Sequence, residues 1–402
     1  MQNGKNVKIR CGVRSMGFEI KDASKNEFML TGSFQKKGYD WWWHSFTAVN
    51  ETTGEEKAFF IEFFTINPGL NQGQPVFGQL EENRKNGIRP SYLMIKAGCW
   101  GAPRRGSSAE NENNPCQLHR FFSWDDVSIH GKAPYSVQAD DCYASDMKLV
   151  GSISVSEEDA AAHPEWMCDS GEMSWNLEIE KQIAFNVGYG TSKLFRFLKA
   201  FEMYWHAEGM KSVYSGTVTL NGVSYRVIPE KSYGYADKNW GSNFTSPWVW
   251  LSSNHLVSNV TGQELKDSVF DIGGGRPKIY FVPLNRVLLG AFYYEGTPYE
   301  FNFSKFWTGC KTKFSCKETE TEIQWRVRQE NCQIIMETNV RCKKKDMLLV
   351  NYESPDGWKR HNRLWNGGNG VGRIRLYRKG KHGKVLIDDI SAYNIGCEYG
   401  EY

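Results

Sequence analysis

The chain has 402 residues, 40% of them hydrophobic and 24% charged, a globular balance that excludes a disordered or fibrous polypeptide. Its 49 basic and 46 acidic residues leave a net charge of only +3, so no general electrostatic attraction to nucleic acid or to an anionic membrane is expected. No apolar run is long enough to cross a bilayer, and MQNGKNVKIRCGVRSMGFEI holds no apolar h-region, so a cytoplasmic protein with reduced, scattered thiols is expected.

The length suits two domains of about 200 residues, drawn at 1–200 and 201–402, with a connector near 190–212. Aromatic content is high at 14%, with 15 Trp, 19 Tyr and 23 Phe, and there are 39 Gly. That pairing favours short strands joined by tight turns, and it allows an aromatic-lined cavity as well as ordinary sheet packing.

In chain order, Lys57–Ile66 (KAFFIEFFTI) reads as a strand buried on both faces and closed by Asn67-Pro68-Gly69. Gly101–Pro115 (GAPRRGSSAENENNP) is loop chemistry. Ser156-Glu157-Glu158-Asp159 starts a capped helical turn that must stop before Pro164. Leu194, Phe197, Leu198 and Phe201 sit at helical spacing and form the expected connector. Ser215–Ile228 is a hairpin whose Asn221-Gly222 supplies the positive φ angles of a type I′ turn. Gly273-Gly274-Gly275 reads as a bulge or turn, since no βαβ pattern surrounds it. Ile323, Trp325 and Val327 alternate with polar residues, as do Ile374 and Leu376, and a last strand starts at Lys384. No repeat of fixed period appears, which leaves two barrels or sandwiches rather than a propeller or solenoid. Neither a nucleophile elbow nor a P-loop nor a zinc-protease helix is present, and His and Cys spacings suggest no metal site.

Several segments, in order, resemble the tocopherol cyclase family. Lys37–Pro68 is similar to that family's E-G-W-Y-F opening, with Trp42 on the Trp and Asp40 on the Glu, and the stretch from Glu202 is similar to its E-P-H-W stretch, with Trp205 on the Trp. Tyr233–Gly241 (YGYADKNWG) resembles the Y-S-E-K-N-W-G signature, and WVWLSSN, the glycines 273–275, YEGTPYEF and GKVLIDDISAYNIG continue the match. Asp237 stands where the signature has Glu, Trp41 replaces a Gly, Tyr204 replaces a His, and Glu62 lies in a strand where an apolar residue is usual. The resemblance implies an all-β chain of two tandem lipocalin-like β-barrel or sandwich domains with a few short helices.

It also implies chemistry. A tocopherol cyclase protonates a prenyl double bond and lets the phenol oxygen capture the tertiary cation, with no redox cofactor or metal. The protein supplies an acid, a dry cavity and π-faces. Asp237, Glu62 and Tyr235 are the candidate proton donors. Trp42, Trp43, Trp205, Lys238, Asn239, Trp240, Trp248 and Trp250 are the candidate substrate-binding residues. Strand alternation puts Tyr235, Asp237 and Asn239 on one face and Lys238 and Trp240 on the other, and it separates Trp42 from Trp41 and Trp43. Plainer roles compete: Asp237 paired with Lys238, Glu62 pointing outward or paired with an Arg, and the tryptophans as core. The expected partner is an apolar, prenylated or polyene-like small molecule, with peripheral membrane contact compatible and nucleic acid excluded. The alternatives are a non-catalytic lipocalin-like binder of such a molecule and a carbohydrate-binding β protein.

Overall fold

The computed structural model describes residues 26–69, 86, 92–101, 114–185, 197–353, 355 and 360–401. Most of the Gly101–Pro115 loop and the Leu194 end of the expected connector lie outside them. Strands β1 (Tyr39–Asn50), β2 (Glu56–Ile66), β3 (Tyr92–Cys99), β4 (Cys116–Ser123), β5 (Val127–His130) and β6 (Ser136–Ala139) open the chain. They are followed by β7 (Cys142–Ser145), β8 (Lys148–Val155), the short helix α1 (Glu157–Ala162), β9 (Gly171–Phe185), β10 (Met203–Leu220), β11 (Val223–Val227) and β12 (Gly234–Gly241). These twelve strands form one sheet in the order β4-β3-β2-β1-β11-β10-β9-β8-β7-β6-β5, with β12 paired to both β1 and β10.

The second sheet takes β13 (Trp248–Ser253), β14 (His255–Ser258) and β15 (Val269–Gly275). After a separate hairpin of β16 (Lys278–Ile279) and β17 (Val282–Pro283), it continues with β18 (Val287–Tyr294), β19 (Thr297–Phe301), β20 (Lys311–Glu318), β21 (Glu322–Glu330) and β22 (Ile334–Lys343). It ends with β23 (Leu348–Glu353), β24 (Arg360–Gly380) and β25 (Gly383–Gly400). The fold is the all-β, lipocalin-like architecture the resemblance implies. The chain passes from one sheet to the other between Gly241 and Trp248, so the 200/201 division falls inside the first sheet, between β9 and β10. Among the described residues no helix is long and apolar enough to cross a membrane.

Local chemistry accounts for the elements. Asn221 and Gly222 take φ of 49° and 78° between β10 and β11, the mirror-image turn that matches strand twist. The Ser156 hydroxyl accepts from the Asp159 amide at 3.0 Å and caps α1. Three apolar layers result. One fills the first sheet's interior, around Trp42, Phe46, Phe59 and Tyr214, and one fills the second, around Phe270, Trp325 and Ile374. The third lies between the sheets, where Trp41, Trp43 and Trp205 meet Trp248, Trp250 and Tyr352. Strand β1 serves two of these layers, because its alternate side chains point to opposite faces and both faces are covered.

Candidate functional site

The site is built on the face of β12 that looks toward the second sheet. Asp237 is 8% exposed there. Its Oδ2 accepts from the Trp205 indole at 2.8 Å and lies 3.1 Å from the Tyr235 hydroxyl. The same hydroxyl lies 3.2 Å from Oδ2 of Asp271 on β15, whose Oδ1 accepts from the Trp250 indole at 3.1 Å. One hydroxyl can donate to only one carboxylate at a time, so with both acids ionised one of them would lose the Tyr235 bond and keep its indole donor in a water-poor layer. Burial pushes the Asp237 carboxyl up to about 7, against the lowering effect of the Trp205 and Tyr235 bonds. Burial and then the nearby Asp237 charge push Asp271 well above the usual carboxylate range. Burial therefore favours the protonated forms of both carboxyls, and the cluster they form with Tyr235 spans the two sheets.

A polar row crosses the first sheet on this same face. Register pairs Asp237 with Trp43, Trp43 with Glu62, Glu62 with Lys96, and Lys96 with His119. Glu62 and Asp237 are thus two strands apart, on the order of 10 Å, with Trp43 between them. Glu62 is fully buried and paired with Lys96 at 3.2 Å, while the Tyr352 hydroxyl of β23 donates to it at 3.2 Å. It does not point outward, and among the described residues it pairs with Lys96 and not with an Arg. Burial raises its carboxyl, and the Lys96 charge opposes that rise.

Other residues are placed differently from the expectation. Asn239 shares the Asp237 face and its Oδ1 accepts from Tyr39 at 2.9 Å, while Asp237 takes its bonds from Tyr235 and from Trp205 on β10. Lys238 turns to the opposite face, where it pairs with Asp40, so it does not neutralise Asp237. There it lies 4.0 Å over the Trp42 ring, which stacks on Tyr135 at 5.3 Å inside the first sheet. The space beside Gly234 on that face is filled by Tyr214: an added Cβ would lie 2.2 Å from its ring. Trp240 packs with Tyr204, Phe34 and Phe201 in a small separate cluster. The structure therefore gathers Asp237, Tyr235, Glu62, Asn239, Trp43, Trp205, Trp248 and Trp250 between the sheets, and leaves Trp42, Lys238 and Trp240 on other faces.

A cleft opens onto this layer. About 70 Å³ of it is open to a water-sized sphere, and its wall includes Trp205, Trp248, Met203, Leu289 and the glycines 273–275. Those glycines are not a turn: they end strand β15, and Gly273 is required because an added Cβ would lie 2.8 Å from the Trp205 ring. A smaller recess, with only about 10 Å³ open to a water-sized sphere, shares Met203, Thr245 and Trp248 with the cleft and ends at Trp41, Tyr352 and Glu398. Glu398 accepts from the Trp248 indole at 2.5 Å and from the Asn366 amide at 2.6 Å, and burial raises its carboxyl to about 7. Glu398 and Asp271 were not singled out in the sequence. Asp271 leaves a faint signal as a lone acid in the apolar run VFDIGGG, whereas Glu398 leaves none in GCEYGEY.

The arrangement defines a class: a two-sheet, lipocalin-like β protein with buried carboxyls beside an aromatic cleft between its sheets. The chain belongs to the tocopherol cyclase-like family, whose model matches residues 143–401. The matched stretch includes the YGYADKNWG signature and the second sheet, while the Lys37–Pro68 segment lies before it. No curated protein matches the chain. Among solved structures, kievitone hydratase from Nectria haematococca is 12% identical with a TM-score of 0.45, covering 92% of this chain and 92% of that one. CghA bound to Sch210972 is 10% identical with a TM-score of 0.42, covering 91% of this chain and 89% of that one.

Proposed function

We propose that the protein is a cofactor-independent cyclase or isomerase that protonates an alkene of an apolar, prenylated or polyene-like molecule held in the cleft between the sheets. The observation that carries this reading is the Asp237–Tyr235–Asp271 cluster, two buried carboxyls meeting on one hydroxyl behind the Trp205 wall of an apolar cleft. A carboxylic acid kept neutral by desolvation can give its proton to carbon near neutral pH. The step balances within the substrate: the Asp237 O–H bond and the alkene π bond are lost, a C–H bond forms, and the cation is captured by a phenol oxygen. The phenol proton then passes to a carboxylate, with Asp237 and Glu398 both within the layer. The rings of Trp205, Trp248 and Trp41 provide π-faces for the cation while excluding water.

One observation favours a second reading. Asp237 does not itself line the cleft or its recess; Trp205 and Trp41 do. A non-catalytic binder of the same ligand class would need the cleft and not the acid. A sugar-binding role draws less support, because the aromatics of this layer are buried rather than displayed as open platforms. Incubation of wild type and Asp237→Asn with a panel of prenylated hydroquinones separates the readings. Loss of a mass-neutral conversion with retained ligand binding supports Asp237 as the acid. Full turnover by the variant moves the role to Glu62 or Glu398, and binding without conversion by the wild type supports the binder.

A further inference from the structure

The hairpin of β16 and β17 presents a feature that the chemistry of the cleft does not use. Register pairs Lys278 with Pro283 and Ile279 with Val282, leaving Tyr280 and Phe281 as a two-residue tip in which Tyr280 has φ of 56°. The tip points into solvent: Phe281 is 87% exposed, and Tyr280 and Val282 are more than half exposed. A second apolar segment stands beside it. Phe197 is 83% exposed, and Leu198 is exposed too. The two are tied together, since the Tyr280 amide donates to the Ala200 carbonyl at 2.8 Å, its hydroxyl donates to the Leu198 carbonyl at 3.4 Å, and Phe201 bridges to Ile279.

We propose that these two segments form a membrane-docking tip that seats the mouth of the cleft on an anionic bilayer. Phe281, Tyr280 and Val282, with Phe197 and Leu198, enter the interfacial region as apolar side chains. Charge around them has the matching sign. Residues 276–286 (RPKIYFVPLNR) contain Arg276, Lys278 and Arg286 and no acid, and Lys199 follows Leu198. Lys278 has Glu202 at 3.4 Å and Arg286 has Glu401 at 3.5 Å, while Arg276 and Lys199 have no acidic partner among the described residues. Basic residues flanking an apolar tip are drawn to anionic headgroups within a Debye length, even in a chain whose net charge is only +3.

A narrow, projecting tip suits a bilayer better than a second protein, whose stable interface would need on the order of 800 Å² of complementary surface per partner. The tip also continues into the cleft: Phe201 and Pro277, which adjoin the two segments, belong to its lining. The choice of a lipid surface rests in this respect on the reading of the cleft as a site for an apolar molecule, which would then enter from the membrane without crossing water.

Flotation of the full chain with phosphatidylcholine vesicles, and with vesicles containing phosphatidylserine, tests the proposal apart from turnover. The wild type is expected to float, more strongly with phosphatidylserine, and less as salt is raised. The double variant Phe197→Asp with Phe281→Asp is expected to lose roughly 100-fold in partitioning while keeping its circular dichroism spectrum, since each apolar side chain contributes roughly tenfold or more. Phe281→Leu is expected to retain binding. Wild type that stays with the soluble fraction on every vesicle overturns the proposal, and so does a double variant that floats as well as wild type. Wild type that self-associates through the tip without binding vesicles overturns it in favour of a second copy. A chain that floats but converts no substrate disproves only the catalytic reading.

Discussion

Asp237→Asn is expected to raise folding stability at neutral and alkaline pH and to leave it almost unchanged near pH 4. In the native state the Asp237 carboxyl is lifted by burial from 3.8 to about 7. A carboxyl raised on folding contributes fully below its unfolded value, in the protonated form, and that contribution is lost as pH rises through the folded value. The loss therefore develops between about pH 4 and about pH 7. The full interval corresponds to on the order of 4 kcal/mol. Relaxation and water entry reduce this, so a difference of roughly 2 kcal/mol is expected at pH 8. Asn keeps both bonds, because its carbonyl oxygen at the Oδ2 position can accept from Trp205 and from Tyr235 without carrying charge. Urea unfolding followed by tryptophan fluorescence at pH 4.5 and pH 8 measures both differences, provided the slope is common to the two proteins. A variant destabilised equally at both pH values would refute the reasoning, because it would mean that the Asp237 negative charge itself holds the sheets together.

Three further outcomes follow from the same layer. Lys96→Met leaves Glu62 buried beside Tyr352 without its cation, and thermal unfolding at pH 7 should show a loss of about 3–5 kcal/mol; a variant as stable as wild type would indicate that water reaches the pair. Gly273→Ala forces the Trp205 ring aside and should cost about 1–3 kcal/mol while weakening saturable quenching of tryptophan fluorescence by prenylated quinols; unchanged quenching would show that Trp205 does not shape the cleft. Because the Glu398 carboxyl at the end of the recess sits near 7, apolar ligands should bind roughly tenfold more weakly at pH 8.5 than at pH 6, and Glu398→Gln should remove that dependence; a flat profile in wild type would place the ligand outside the recess.

Much of the fold was legible because short-range physics decides it. The Asn221-Gly222 turn, the Ser156 cap and the alternation of Ile323, Trp325 and Val327 are local choices, and the structure keeps each of them. Alternation also correctly divided β12, sending Asp237 and Lys238 to opposite faces. Long-range pairing was not legible. Nothing in the sequence says that Lys238 would find Asp40, that Glu62 would find Lys96, or that Asp271 and Glu398 would arrive from the second sheet beside Asp237. The glycines 273–275 were legible as special but not in kind, since the need for them comes from Trp205 in the other sheet and not from a turn.

The central claim is that a proton held in the Asp237 cluster is delivered to carbon of an apolar substrate in the cleft. It is tested most directly by turnover in deuterium oxide of a prenylated hydroquinone, with the product read by mass spectrometry and carbon NMR. The account predicts that wild type yields an isomeric cyclic product carrying one deuterium on the newly protonated carbon, and that Asp237→Asn, though it binds the same substrate, yields none. A wild-type product with no deuterium on carbon, or the same labelled product formed at an undiminished rate by Asp237→Asn, would contradict it.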